Sequence, residues 1–400
     1  MRILILLETL TTGGAEMFGL RLANALVGEH EVMLAVMNGE LVEPSLRKLV
    51  DDRIRLDALR LPLKRSWFRF DTLLRRLRLD RSAIRAAQAR WLGRLVRDFQ
   101  PDVVHSHLLK ADRLALDVRS TSGAAYAHVL TMHGDYAPFL AGQSDPQLLH
   151  VSSVIRSVLA RTDAVVAICD DHRRFLLELD PALTGKLQTI PNGYAPAATG
   201  PGPTLPEAAF RFGMVSRGVR LKGWDVAVDA FTRLDRRDAC LVLVGDGPHL
   251  RELARQPLPA GVHLTGPTCD PLGTIQQFDV CLLPTLFPHE SLPTVVIEYL
   301  VCGKPVIATE VGEIRAMLTA PGGKVAGKLL DFDGTNVSAD QLASFMAELM
   351  DKPGRRAEMG EAALLAARRF DLDRCVAAYV ELYARLGASG SSNSSTSSNH

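Results

Sequence analysis

Short apolar runs alternate with amphipathic stretches along the first half of the chain. Residues 3–7 and 31–37 are rich in β-formers, and 15–27 between them carry apolar positions at helical spacing behind a glycine loop. Residues 103–105, 129–132 and 164–168 read as further buried strands with helical stretches between them. This alternation predicts βαβ units around a parallel sheet. Residues 194–206, YAPAATGPGPTLP, break the pattern and read as a linker. The pattern then restarts, with strands expected at 212–216, 240–244, 262–264, 280–283 and 305–308. Helices are expected at 224–234, 294–301 and 339–350. A long helical pattern at 370–386 closes the fold, and 388–400, almost all Ser, Asn, Thr and Gly, predicts disorder.

The expected organisation is α/β: a Rossmann-like domain at 1–193, a linker at 194–206, a second Rossmann-like domain at 207–369, a helix at 370–387 packing back on the first domain, and a tail at 388–400. Two such domains facing a central cleft would offer ligands the carboxyl ends of both sheets. A length of 400 residues fits two cores. The apolar run at the start is one strand long before Glu8 interrupts it, so it reads as a core strand and not a leader. No run reaches the roughly 18–20 apolar residues of a membrane span. Six cysteines without a CxxC pair or zinc spacing read as free thiols of a reducing compartment. The expected location is therefore the cytoplasm. A net charge of +1 says nothing for or against acidic partners of the whole molecule.

The chemistry concentrates in residues 288–303, PHESLPTVVIEYLVCG. Glu290 falls between an apolar strand and a helix, Ser291 can cap that helix, and Pro293 suits its first turn. The N–H groups of Thr294 and Val295 would then form an anion site. Glu298 stands in an otherwise apolar helix, where a carboxylate needs partners; vicinal ribose hydroxyls would serve, and so would one wet helix face. Arg217 and Lys222, in SRGVRLKGW after a strand, can neutralise a pyrophosphate and stabilise it as a leaving group; alone they could equally be solvated loop cations.

Taken together, SRxxxxKGW, LVGDGP, the segment PHESLPTVVIEYLVCGKPVIAT and VGE resemble glycosyltransferase family 4 (glycosyl transferases group 1), retaining enzymes of GT-B fold. Glu290 and Glu298, seven residues apart in between, resemble that family's glutamate pair, and IPNGY at 190–194 its domain junction. The resemblance implies a sugar moved from a nucleotide-sugar donor, UDP- or GDP-linked, to a hydroxyl of a glycan or lipid-linked acceptor in cell-surface polysaccharide or glycolipid synthesis. It implies neither metal nor further cofactor. Arg217 and Lys222 would bind the donor diphosphate, Glu298 the ribose and Glu290 the donor sugar. Backbone at Leu292, Thr294 and Val295 would touch sugar or phosphate, and Gly266 and Pro267 would lie beside the base. In the first domain, Gly13 and Gly14 of TTGGAEMF would let backbone approach the donor, and His133 of TMHGDY would stand near its sugar. His107 and Lys110 of HSHLLKAD are assigned to the acceptor side. The chain departs from the family pattern at Ser291, where Gly is frequent, and in GEIRAM, which lacks the usual PE; both leave the donor sugar open. The DxD strings at 331–333 and 371–373 read as turn caps and not metal sites.

Residues 64–98 hold eleven Lys and Arg against three Asp, interleaved with Trp67, Phe68, Phe70 and Trp91. A solvated helix pair explains this, and so does contact with an anionic membrane on its inner face. No recognition motif accompanies the charge, which argues against nucleic acid. Two other readings fit the same architecture: a nucleotide-sugar 2-epimerase, and a non-catalytic sugar-nucleotide-binding subunit.

Overall fold

The computed structural model describes residues 1–61, 82–141, 146–195, 204–268 and 270–392. The chain divides into two compact units, Met1–Gly193 with the C-terminal segment from Asp373, and Tyr194–Leu372.

Unit 1 is built on a seven-stranded parallel sheet in the order β3-β2-β1-β4-β5-β6-β7. These strands are β1 (Arg2–Leu7), β2 (Glu31–Val36), β3 (Arg55–Ala58), β4 (Val103–His107), β5 (Ala127–Met132), β6 (Ala164–Ala167) and β7 (Leu187–Thr189). Central strands of such a sheet are covered on both faces, which is why they are uninterrupted apolar runs. In β1, Ile3, Ile5 and Leu7 enter one core and Leu4 and Leu6 the other. The first core is covered by α1 (Gly14–Leu26), the second by α2 (Ala83–Phe99) and α3 (Leu109–Ser122). Helix α4 (Pro146–Arg161) and α5 (Asp170–Leu179) cover the β5–β6 side.

Unit 2 carries a six-stranded parallel sheet in the order β10-β9-β8-β11-β12-β13. Its strands are β8 (Phe210–Val215), β9 (Ala239–Val244), β10 (Val262–Gly266), β11 (Val280–Leu283), β12 (Val306–Thr309) and β13 (Gly327–Leu330). Helices α6 (Trp224–Leu234), α7 (Thr294–Val301), α8 (Ala339–Asp351) and α9 (Pro353–Ala367) flank it. Helix α10 (Leu372–Ser392) runs back into unit 1, where Cys375, Tyr379, Leu382 and Tyr383 form one buried stripe against Ile3, Ile5 and Phe18.

Several elements differ from the sequence pattern. Strands β3, β7 and β13 were not expected. The carboxyl half of β4 is made of buried polar residues, His105, Ser106 and His107. Tyr194, expected in the linker, is tied down: its N–H donates to the Phe370 carbonyl at 2.7 Å. Helix α10 extends through Ser392, into the stretch whose composition predicts disorder. Of the basic segment, residues 64–81 lie outside the described residues. Trp91 faces inward, 5% exposed, with its indole N–H on Asp57 at 2.7 Å, and so offers no ring to a membrane. Asp333 accepts the N–H groups of Thr335 and Asn336, the turn cap expected of it.

The strand orders place the chemistry. In each unit the chain builds outward on one side of the first strand and then crosses to the other side. The loops leaving β1 and β4, and those leaving β8 and β11, therefore diverge and open a crevice at the strands' carboxyl ends.

Candidate functional site

In unit 2 the loop after β8 carries Arg217 and Lys222. A short turn, Arg220–Lys222, ends at Gly223 with φ +78°, and a Cβ there would lie 1.8 Å from the Pro284 carbonyl oxygen. Only glycine permits that approach to the loop after β11. The Trp224 indole, fully buried, donates to the Arg217 carbonyl at 3.0 Å. Across the crevice, the Leu286 N–H and the Thr285 hydroxyl both donate to the Leu221 carbonyl, at 2.8 and 3.1 Å.

The two loops meet in an ion pair. Lys222 Nζ lies 2.6 and 2.7 Å from the two Glu290 carboxylate oxygens, with side chains 13% and 7% exposed. Behind Glu290 stands Gly312, φ +50°, where a Cβ would come within 1.8 Å of the Glu290 carbonyl oxygen. The Glu313 N–H donates to the Ser291 carbonyl at 3.1 Å. The GE after β12 thus backs the glutamate loop. The guanidinium of Arg217 is exposed, and among the described residues it has no ion pair.

Helix α7 begins beside this pair. Its N-cap is Pro293, with no side-chain cap, so the expected Ser291 cap is corrected: the turn enters the helix two residues later. Thr294 and Val295 are half-buried at its start, where helical N–H groups lack intrahelical partners. Leu292 is buried at 9% exposure. Glu298 is half-buried, while Val296, Ile297, Tyr299 and Leu300 around it are fully buried. Gly266 ends β10 at φ +74° with open space about its Cα, next to the exposed Pro267, and its carbonyl accepts the Gly245 N–H at 2.9 Å. The structure thus brings Lys222 and Glu290 into contact and sets Arg217, Gly266, Pro267 and α7 at the same end of the sheet.

In unit 1 the glycine loop opens α1. Gly13 is the N-cap of α1 with φ −131°, an ordinary extended conformation. A Cβ there would meet a Glu16 carboxylate oxygen at 2.3 Å, and the Thr9 hydroxyl donates to that carboxylate at 2.8 Å. Glu16 thus sets a carboxylate in the first turn of α1, beside Gly13.

Lys110 is paired with Glu8 across the β1–β4 crevice, its Nζ at 3.2 Å and its N–H at 3.2 Å from the two carboxylate oxygens. Leu108 before it has φ +75° and ψ 147°, a conformation costly for a side-chain-bearing residue. His107 Nδ1 lies 2.8 Å from His133 Nε2, so the two rings share one proton. Phe18 stands 5.5 Å from the His133 ring. The pattern missed His105, whose ring nitrogens meet the Tyr383 hydroxyl at 2.7 Å and the Thr131 hydroxyl at 2.8 Å. The signal was available: HSH alternates, which places both histidines on one face of a strand. Burial holds His105, His107 and His133 well below the usual imidazole range, with the neighbouring rings adding to the effect. On the opposite face, Ser106 joins Asp112 at 2.7 Å and His128 at 2.8 Å. Burial pushes Asp112 up to about 8 and His128 down to about 3.

Residues 209–351 match the family described as Glycosyl transferases group 1, and residues 12–197 match Glycosyltransferase Family 4. The chain belongs to the family 4 glycosyltransferases. Its similarity to D-inositol 3-phosphate glycosyltransferase of Xylanimonas cellulosilytica is 28% identity over 251 residues, 57% of this chain and 58% of that protein. The match thus spans less than two thirds of that relative. Lipopolysaccharide core biosynthesis glycosyltransferase LpsD of Rhizobium meliloti is 25% identical over 388 residues, 94% of this chain and 96% of its own length. Among solved structures, Anabaena Alr3699/HepE in complex with UDP aligns with TM-score 0.73 at 17% identity, covering 96% of this chain and all of that one. Sucrose-phosphate synthase from Thermosynechococcus elongatus aligns with TM-score 0.74 at 16% identity, covering 97% and 100%. At such identities these likenesses establish the fold of this family 4 chain, two parallel-sheet α/β domains of GT-B type.

Proposed function

We propose that the protein is a retaining, metal-independent glycosyltransferase that moves a sugar from a UDP- or GDP-linked donor to a hydroxyl of a glycan or lipid-linked acceptor. The observation that carries this reading is the buried Lys222–Glu290 pair at the unit 2 switch point, beside Arg217 and the start of α7. A dehydrated ammonium fixed by a carboxylate is held in place before any ligand arrives, and needs no reorganisation as charge develops. In this reading Arg217, Lys222 and the α7 N–H groups at Thr294 and Val295 take the charge of the departing diphosphate. Glu298 accepts the ribose hydroxyls. Glu290 and the Leu292 backbone hold the sugar, and Gly266 with Pro267 borders the base. The acceptor oxygen attacks from the face the diphosphate leaves, which retains the anomeric configuration.

His133 serves near the reacting sugar, with Gly13 and Gly14 on the donor side and His107 and Lys110 on the acceptor side. The UDP complex of the Anabaena structure supports a nucleoside diphosphate donor, and the LpsD likeness supports a cell-envelope glycan acceptor. Among the described residues no helix is long and apolar enough to cross a membrane. In this reading the enzyme is cytoplasmic and touches an anionic bilayer through the basic residues of 64–98.

The test is calorimetry of UDP-, GDP- and ADP-sugars on the wild type and Glu298→Ala. One nucleotide class binds the wild type, and the variant binds it at least about 100-fold more weakly, the loss expected for two hydrogen bonds to a charged acceptor. Absence of nucleotide binding by the folded wild type overturns the reading. With the matching donor in hand, NMR of the product shows a retained anomeric centre; an inverted one overturns the mechanism.

A further inference from the structure

The crevice in unit 2 has a floor that the sequence pattern did not show. Strands β8 and β11 are paired only at Phe212 with Val280 and Gly213 with Cys281. Beyond that they part, although β8 stays registered with β9 through Val215 and β11 with β12 through Leu283. Tyr299, on α7 and fully buried, fills the gap with its hydroxyl. The Val215 N–H donates to that oxygen at 2.9 Å, and the hydroxyl lies 3.2 Å from the Leu282 carbonyl. A single phenolic oxygen stands where a direct strand-to-strand bond would otherwise close the ladder. Burial keeps the phenol protonated, far above its ordinary value, so it remains a donor.

We infer that Tyr299 is a positioning residue of the donor site, acting as a spacer that sets the span between the Arg217–Lys222 loop and the Glu290 loop. Arg217 lies two residues past Val215, so the backbone that Tyr299 holds leads directly into the diphosphate cations. Leu282 lies on the strand that ends one residue later and opens the loop to Glu290. The same tyrosine follows Glu298 directly, so one helix turn sets the strand gap and presents the proposed ribose ligand. Removing the oxygen leaves the Val215 N–H and Leu282 carbonyl to close on each other, which narrows the crevice, or to stand unpaired, which loosens it. Either way the cations and the glutamates change their separation.

This inference rests on the proposed donor site, and the experiment separates the two. UDP and GDP are titrated into wild type, Tyr299→Phe and, as a control of comparable burial, Tyr126→Phe. Tyr126 donates to the Ala115 carbonyl at 2.6 Å inside unit 1 and touches none of the proposed donor residues. Melting curves fix a temperature at which all three are folded. The expected result is a dissociation constant at least tenfold weaker for Tyr299→Phe and unchanged for Tyr126→Phe, with the donor KM of Tyr299→Phe rising in step. Should Tyr299→Phe fail to fold, Tyr299→Met, which likewise lacks the oxygen that takes the Val215 N–H, serves the same comparison. Wild-type binding with an unchanged constant in the folded Tyr299 variant overturns the positioning role alone. No binding of either nucleotide by the wild type overturns it together with the donor site.

Discussion

Lys222→Ala and Glu290→Ala are each expected to lose transfer activity and to destabilise unit 2, while Lys222→Met with Glu290→Leu together regains stability but no activity. The reason lies in the burial of the pair, at 13% and 7% side-chain exposure with both carboxylate oxygens within 2.7 Å of Nζ. Removing one partner leaves an unpaired buried charge, which costs about 3–5 kcal/mol. For a unit of this size that lowers its melting temperature by roughly 10 °C. Replacing both charges by apolar side chains of similar volume removes the desolvation cost along with the attraction, so stability returns to near the wild-type level. Activity does not return, because the ammonium that faces the diphosphate and the carboxylate that faces the sugar are both gone. Thermal melting and donor turnover of the four proteins decide it. A double variant that is both stable and active would make the pair a structural strut.

Unit 1's central strands were legible because a parallel sheet buries both faces, so RILILL and EVMLAV announce themselves without any periodicity. Strands β3, β7 and β13 were not, and all three lie at sheet edges, where one neighbour and a half-open face remove the demand for an apolar run. The end of β4 was hidden for another reason. His105 is buried because Tyr383, 278 residues later, reaches its ring, and no local pattern carries that information. The site divides in the same way. Lys222 and Glu290 were each legible from their place after a strand, but their contact spans 68 residues and depends on which strands are neighbours. Helix α7 was legible as a helix, but its cap was not. Ser291 has the right chemistry for an N-cap, yet its carbonyl is engaged by Glu313 and the helix starts after Pro293. The glycine loop was legible as a loop opening a helix, but the place of the Glu16 carboxylate beside Gly13 was not, because it depends on the Thr9 hydroxyl that holds it.

Unit 1 is expected to unfold in mild acid, and the sign follows from its buried rings. His105, His107 and His128 are fully buried and neutral in the fold, with His128 at about 3. Above the ordinary imidazole value of about 6.5 their neutrality costs nothing. Below it the unfolded chain takes up a proton at each and the fold does not, so each ring withdraws about 1.4 kcal/mol of stability per pH unit. Asp112 works the other way. At about 8 it is protonated in the fold while the unfolded carboxyl is ionised, so stability rises by one such contribution as pH falls from 8 toward 4. Three rings against one carboxyl leave a net loss of about 3 kcal/mol per pH unit, or about 4 kcal/mol between pH 6.5 and 5, a large share of the roughly 5–15 kcal/mol that holds a domain folded. Urea titrations at pH 7.5, 6.5 and 5 measure the slope. In Asp112→Asn the opposing contribution disappears. That variant is therefore more stable than the wild type at pH 7.5 and loses stability more steeply toward pH 5. His128→Gln flattens the wild-type slope by about one half, since it removes one of the three withdrawing rings while leaving the opposing Asp112 in place. A wild-type stability that stays level between pH 7.5 and 5 would mean that these histidines titrate with solvent access the buried network does not provide.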